Sequence, residues 1–384
     1  MPANIAHMLI AHKALQKLKD KGVKEFRQFA EMLDDGSRGK NFKAYMNLGS
    51  IGPDLYYYAH IGKNIKDLIT EDFAQTKGVT KWAYHLHSSR PNEYPLKLIE
   101  IIFSDAVKKK GKIKLYDDDI RKLAYVAGHL THIAGDQIIH PVVNSVAGPY
   151  YRSGANRKKH RQCEVFQDYF LYEEVYRLEG KSGAKYDFFK QKFNKWTDCV
   201  KGVTTRNSEE WFRYFLQRGF VETYGTFPSE GEIEDSVDNL LVTLRMCQMI
   251  GPYKKAAKDY LEKGQATGMF KEYIKDVDYI KYWRLAVELA VVYLIALYEV
   301  YFVLKEGKDF TEKHKKRFLN IVSDADLSCP LKHNIFEKAT AALRNKEDME
   351  AAIKGHCPPL LTKTKFVTAS RIFEAKSDGD IVKA

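Results

Sequence analysis

Between Tyr125 and Asn144 the chain reads YVAGHLTHIAGDQIIHPVVN, and four of its residues can do chemistry: His129, His132, Asp136 and His140. The last three are spaced four apart. On a helix, positions i, i+4 and i+8 drift slowly around one side, so these side chains project the same way. Two imidazoles flanking a carboxylate on one face form a ligand set for a borderline-soft divalent metal, zinc above all. Leu130, Ile133, Ala134, Ile138 and Ile139 would bury that face, and buried imidazoles and carboxylates need partners. Pro141 is expected to end the helix. Taken alone, the stretch also fits a polar helix face with scattered histidines.

Other elements must bring further ligands to this face. Residues 5–21 read as an amphipathic helix with Ile5, Met8, Leu9, Ala11, Leu15 and Leu18 on its apolar side. His7 lies near its first turn and His12 on a different face, and the loop Asp34–Lys40 closes the unit. In Ala44–Tyr58 the residues Gly49, Gly52 and Pro53 interrupt regular structure. Asp54 there can cap the next helix or bind a metal. Lys81–Ser89 carries His85 and His87, either of which can be a ligand or a core histidine. Lys108–Lys114 reads as a solvated basic turn between helices. Gly148–Lys159 reads as a basic, glycine-containing loop leading into a helix over His160–Leu178. His160 and Glu164 share a face of that helix, and Cys163 reads as a small buried hydrophobe.

The 384 residues suffice for two or three domains or one large one, and 45% hydrophobic with 29% charged residues is an ordinary globular balance. A net charge of +12 favours anionic partners: phosphate esters, nucleic acid or an acidic membrane surface. The five cysteines form no CxxC pair, which fits free thiols in a reducing compartment. The N-terminus has no signal-peptide pattern, so a cytoplasmic location is expected. After residue 180 the ligand-type residues thin out: His314, His333 and His356 have no partner at ligand spacing. Trp283–Leu304 is the most apolar run, but Arg284, Glu288 and Glu299 interrupt it. It reads as a buried core helix, and no transmembrane segment is expected, with membrane-surface contact as the lesser alternative. Strand signals are sparse, and Rossmann, P-loop and nucleophile-elbow patterns are absent. The expected fold class is all-α.

Asp54, the His85/His87 pair, His132, Asp136, His140, His160, Glu164 and His7 exceed what one tetrahedral zinc can use. They suit two or three metals, with a carboxylate such as Asp136 shared. The order of IAHMLIAHKAL, LGSIGPDLYYY, WAYHLHSS, YVAGHLTHIAGDQIIHP and HRQCE resembles the zinc-dependent phospholipase C family over roughly residues 3–178. The resemblance implies a multi-helix bundle around a trinuclear zinc cleft, here a domain over 1–180 followed by an additional helical region over 181–384. It implies one zinc on Asp54, His87 (or His85), His132 and Asp136, and a second on His140, His160 and Glu164. A third would share Asp136 and take His7, completed in the family by the mature N-terminal residue. Asp136 and His140 are closer together than in the secreted members, which matches a wider bacterial branch. His129 has no ligand counterpart in the family motif.

Such a centre would act as a phosphodiesterase: metals lower the pKa of a bridging water, and the resulting hydroxide attacks the phosphorus of a phospholipid or related phosphoester. Asp54 is the candidate catalytic residue, as base or orienter of that water. Basic residues of Arg152–Lys159 could draw phosphate to the rim, and Tyr56–Tyr58, Trp82, Tyr150 and Tyr151 could floor a headgroup subsite. Two other readings stand beside this one. One is a zinc-dependent single-strand nuclease, which would use aromatics to stack bases. The other is a non-catalytic zinc-stabilised helical module, with residues after 180 as its partner platform.

Overall fold

The structure is a computed structural model. It describes residues 4–37, 39–59, 80–109, 111–148, 150, 153–176, 199–200, 203, 210–247, 252–327, 338–339 and 341–342. The described residues are mainly helical, with one two-stranded sheet, as expected of an all-α protein. Tyr151, Arg152, Cys329, His333, Cys357, His356 and the proposed boundary at residue 180 lie outside them.

The element that organises the fold is α6, Asp117–Ala147, which is 31 residues long. The helices before it are α1 (Asn4–Lys19), α2 (Lys24–Leu33), α3 (Phe42–Ile51), α4 (Thr80–Ser88) and α5 (Glu93–Asp105), with a 3₁₀ segment over Gly52–Tyr58. Those after it are α7 (Gly154–Leu171), α8 (Glu210–Tyr224), α9 (Glu230–Cys247), α10 (Pro252–Lys263), α11 (Tyr279–Lys305) and α12 (Glu312–Ile321). Asp117, Asp118 and Asp119 complement the N-terminal dipole of α6, and the Asp119 carboxylate accepts from the Tyr116 backbone N–H at 2.9 Å.

Pro141 does not end α6, which runs on to Ala147. Proline removes one backbone hydrogen bond and costs a few kcal/mol, but Val142, Val143, Asn144 and Ala147 beyond it are buried. Their packing outweighs the local penalty. Nor is Gly49 a breaker. It lies within α3, opposite Gly128 of α6, and the two backbones touch there. A Cβ on Gly49 would sit 2.0 Å from the Tyr125 carbonyl oxygen, and one on Gly128 would sit 2.1 Å from that of Met46. Asp54 lies in the first turn of the 3₁₀ segment rather than at its cap.

Two further boundaries differ from expectation. The Lys108–Lys114 region is a small antiparallel hairpin, β1 (Val107–Lys109) with β2 (Lys112–Lys114), because alternation turns Ile113 inward while its lysine neighbours face out. The helix carrying His160 starts at Gly154, capped by the Ser153 hydroxyl, so the basic residues 157–159 are helical. It leaves α geometry at Tyr172 for a π turn ending at Tyr176.

One hydrophobic core runs from α1 to α12. Helix α11 packs along α6 and α1 and contributes Leu289, Val291, Val292, Leu294, Ile295 and Leu297 at full burial, each stabilising by roughly 1.5–3 kcal/mol. By length and composition alone α11 could cross a membrane, but 89% of its most apolar window is buried inside the protein. Its two glutamates, Glu288 and Glu299, are buried too, and Glu299 pairs with Arg317 of α12 through both oxygens, at 2.7 and 2.8 Å.

Candidate metal centre

All eight side chains expected to bind metal converge around Asp136. From α6 come His132, Asp136 and His140; from α1, His7; from the 3₁₀ segment, Asp54; from α4, His87; and from α7, His160 and Glu164. Three groups have ligand atoms within 4.8 Å of one another: Asp54 with His87 and His132, His7 with His132 and Asp136, and His140 with His160 and Glu164.

Asp136 joins these groups. Its Oδ2 lies 3.0 Å from His132 Nε2 and 3.5 Å from His87 Nε2. Its Oδ1 lies 3.2 Å from His7 Nε2 and 3.4 Å from His140 Nε2. Asp54 reaches His87 at 3.2 Å and His132 at 3.7 Å, while Glu164 Oε1 reaches His160 at 3.1 Å and His140 at 3.5 Å. These separations match the edge of a tetrahedral zinc site, about 3.4 Å for bonds of about 2.0–2.1 Å.

Every histidine presents Nε2 to the cluster. In three of them the other nitrogen is tied to a backbone carbonyl. His132 Nδ1 bonds to Ser50 O at 2.9 Å, His87 Nδ1 to Ala83 O at 2.7 Å, and His140 Nδ1 to Leu327 O at 2.5 Å. A carbonyl only accepts, so Nδ1 carries the hydrogen and Nε2 is oriented to bind a metal. Asp54 Oδ2, Asp136 Oδ2, Glu164 Oε2 and His132 Nε2 are buried without a hydrogen bond. Unsatisfied buried groups of this kind are costly, and a metal among them answers that cost. The residues therefore fit zinc.

The electrostatics point the same way. Burial alone would raise the Asp136 carboxyl, but His132 and His140 beside it hold it well below the ordinary carboxylate range. Asp54 is lowered against the same burial by His132 and His87, and Glu164 by His160 and His140. Burial would lower His140, but Asp136 and Glu164 raise it to about 9. The neighbouring Asp136 and Asp54 carboxylates likewise overcome burial and raise His87 well above its usual value. For His132 and His160 burial wins, and both are lowered. Three buried carboxylates thus draw protons onto neighbouring imidazoles, and a divalent cation meets the same demand.

His85, the alternative to His87, lies outside the cluster, its ring stacked 5.1 Å from that of Tyr224. His12 sits apart, 4.0 Å from Asp34, with burial and Lys43 lowering it to about 3. His129 belongs to none of the three groups. It is fully buried near Tyr94 and Tyr125, and burial pushes it well below its usual value. Cys163 is a buried free thiol.

The expected rim needs correction. Tyr56, Tyr58 and Trp82 are core residues, Trp82 lying against Phe220 of α8. Of the expected aromatics, the half-buried Tyr57 and Tyr150 do flank the centre, with rings 5.8 Å from His87 and 4.9 Å from His160. Lys159 is paired with Glu272 at 2.8 Å. Of the eight clustered side chains, that of His140 is the most exposed, at 13%.

Sequence reasoning missed Asp168, which continues the four-residue spacing of His160 and Glu164 on α7 and could have been found by extending it. Its fully buried carboxylate accepts from the backbone N–H groups of Ile5 and Ala6, at 3.1 and 2.8 Å, and from the Tyr253 hydroxyl at 2.7 Å. Burial pushes it up to about 7 against those three bonds. It anchors the first turn of α1, the turn that delivers His7.

Residues 6–222, more than half of the chain, match the family described as zinc-dependent phospholipase C. The chain belongs to that family. The match runs well past the residues whose motifs carried the resemblance and stops before α9. No curated protein and no solved structure matches the chain.

Proposed function

We propose that the protein is a zinc-dependent phosphodiesterase of phospholipase C type, releasing a phosphorylated headgroup from a phospholipid or related phosphoester. The observation that carries this reading is the convergence of five Nε2 atoms and three carboxylates on three adjoining groups, with Asp136 in one of them and within 3.5 Å of a histidine in each of the others. In this reading His7, Asp54, His87, His132, Asp136, His140, His160 and Glu164 hold two to three zinc ions. Bound zinc supplies charge neutralisation for a phosphodiester and a water of lowered pKa.

The chain's own residues do the rest. The Ser50, Ala83 and Leu327 carbonyls fix the imidazole tautomers, and α1, α3 and α11 pack against α6, which carries His132, Asp136 and His140. Asp54, whose Oδ2 lacks a hydrogen bond, is the catalytic candidate as acceptor or orienter of the attacking water's proton. Tyr57 and Tyr150 are placed to contact a headgroup, and the net charge of +12 favours an anionic lipid surface.

The test is incubation of the zinc-loaded protein with phosphatidylcholine, phosphatidylinositol and single-stranded DNA, with and without chelator. Chelator-sensitive release of diacylglycerol and a phosphorylated headgroup is expected. Cleavage of DNA alone would make it a nuclease. A fully metallated sample that turns over none of these, nor a generic phosphodiester or phosphomonoester, would point to a zinc-stabilised binding module.

A further inference from the structure

The segment that follows α12, Val322–Leu327, touches the metal centre at two points. The Leu327 backbone N–H donates to the His87 carbonyl at 2.9 Å. The Leu327 carbonyl accepts from His140 Nδ1 at 2.5 Å. One residue, about a hundred positions beyond the family match, therefore bridges the helix end that carries His87 and the imidazole of His140.

The segment is itself pinned along its length. Asn92 donates to the Val322 carbonyl at 2.8 Å, and Gln137 of α6 to the Ser323 carbonyl at 3.0 Å. The Tyr293 hydroxyl of α11 donates to Gln137 Oε1 at 2.6 Å and accepts from the Ser323 N–H at 3.2 Å. Ser88, next to His87, donates to Asp326 Oδ1 at 3.0 Å. Val322 and Leu327 are fully buried at the two ends. Each of these bonds fixes where the Leu327 carbonyl lies, and that carbonyl fixes the tautomer and plane of His140.

We infer that Val322–Leu327 is a positioning strap of the metal centre: through its Leu327 carbonyl it holds His140 ready for the ion shared with His160 and Glu164. The C-terminal part of the chain thereby contributes to a site whose ligands all lie before residue 165. A lost outer bond of this kind lowers metal affinity about 10–100-fold. The inference rests on the metal-centre reading above.

The strap is tested in the full-length protein with the double variant Asp326→Ala/Tyr293→Phe, which removes two pins and touches no ligand. Zinc dissociation constants are measured by chelator competition, alongside metal content and thermal unfolding. The strap predicts a loss of about 10–100-fold in affinity for one ion, with the others within about twofold of wild type. In a His160→Ala background, where that ion is already lost, the double variant should change nothing further. Asp326→Asn retains an acceptor for Ser88 and should keep wild-type affinity. Unchanged affinities, or an equal weakening of every ion in step with a lowered Tm, would overturn the strap while leaving the metal centre standing. Absence of zinc binding in the wild-type chain would instead overturn the metal-centre reading.

Discussion

Asp136 divides the centre into two flanks that are built differently. On one side, Asp54, His87 and His132 sit where α3 and α6 cross in backbone contact at Gly49 and Gly128, and the Ser50 carbonyl of that crossing orients His132. The clustered side chains there and the carbonyls that orient them, those of Ser50 and Ala83, all come from the first 136 residues. On the other side His140 and α7 lie beyond the crossing, and His140 is oriented by Leu327, 187 positions further along the sequence. The first flank is held by two helices that cannot separate without losing a close-packed crossing. The second is held by a strap tied through individual hydrogen bonds. An ion on the second flank should therefore be the easier to perturb from a distance.

The largest effect is expected where the flanks meet. Asp136→Ala removes the carboxylate that faces His7, His87, His132 and His140. More than one metal equivalent should be lost by elemental analysis, and activity should fall by more than the roughly 100-fold ceiling of an outer-shell loss. Loss of one equivalent or none would separate the flanks and end the shared role.

Gly128→Ala attacks the first flank alone. Its new methyl would meet the Met46 carbonyl at 2.1 Å and the Ser50 backbone nitrogen at 2.6 Å. Overpacking costs about 1–3 kcal/mol, seen as a lowered Tm, and should weaken the ion near His132 before the one near His160. Equal weakening of both would contradict the independence of the flanks.

A pH series on chelator-treated protein compares the flanks without metal. His140 is raised from 6.5 to about 9 by Asp136 and Glu164. Its stabilising contribution is fully present below pH 6.5 and is lost as pH climbs through about 9. The Tm of the metal-free protein should fall over that interval. Zinc takes the proton's place, so the loaded protein should lack this slope. A loaded protein with the same slope would show that zinc does not reach His140.

The smallest effect belongs to His85→Ala. Its ring stacks on Tyr224 away from the cluster, so metal content should be unchanged, with a modest cost in stability. A lost equivalent would restore His85 as the ligand in place of His87.

The clustered side chains were legible in the sequence because their chemistry is carried by side-chain type and helical spacing: His132, Asp136 and His140 at four-residue steps, and His160 with Glu164. The all-helical class was legible from the apolar periodicity of α1 and the length of α11. The supporting shell was not. The carbonyls of Ser50, Ala83 and Leu327 belong to residues of no shared type, and a backbone oxygen leaves no mark in a sequence. Gly49 read as a breaker because close approach of two helices and chain breaking use the same residue. Pro141 failed as a stop signal because burial beyond it outweighs a local penalty that spacing rules count alone.

The most direct test of this account is metal content per chain combined with anomalous scattering from crystals of the zinc-loaded protein. Zinc peaks on both sides of Asp136, one among Asp54, His87 and His132 and one among His140, His160 and Glu164, are the expected result. A chain that carries no zinc, or a single ion on one flank with the other set of side chains paired only among themselves, would contradict it.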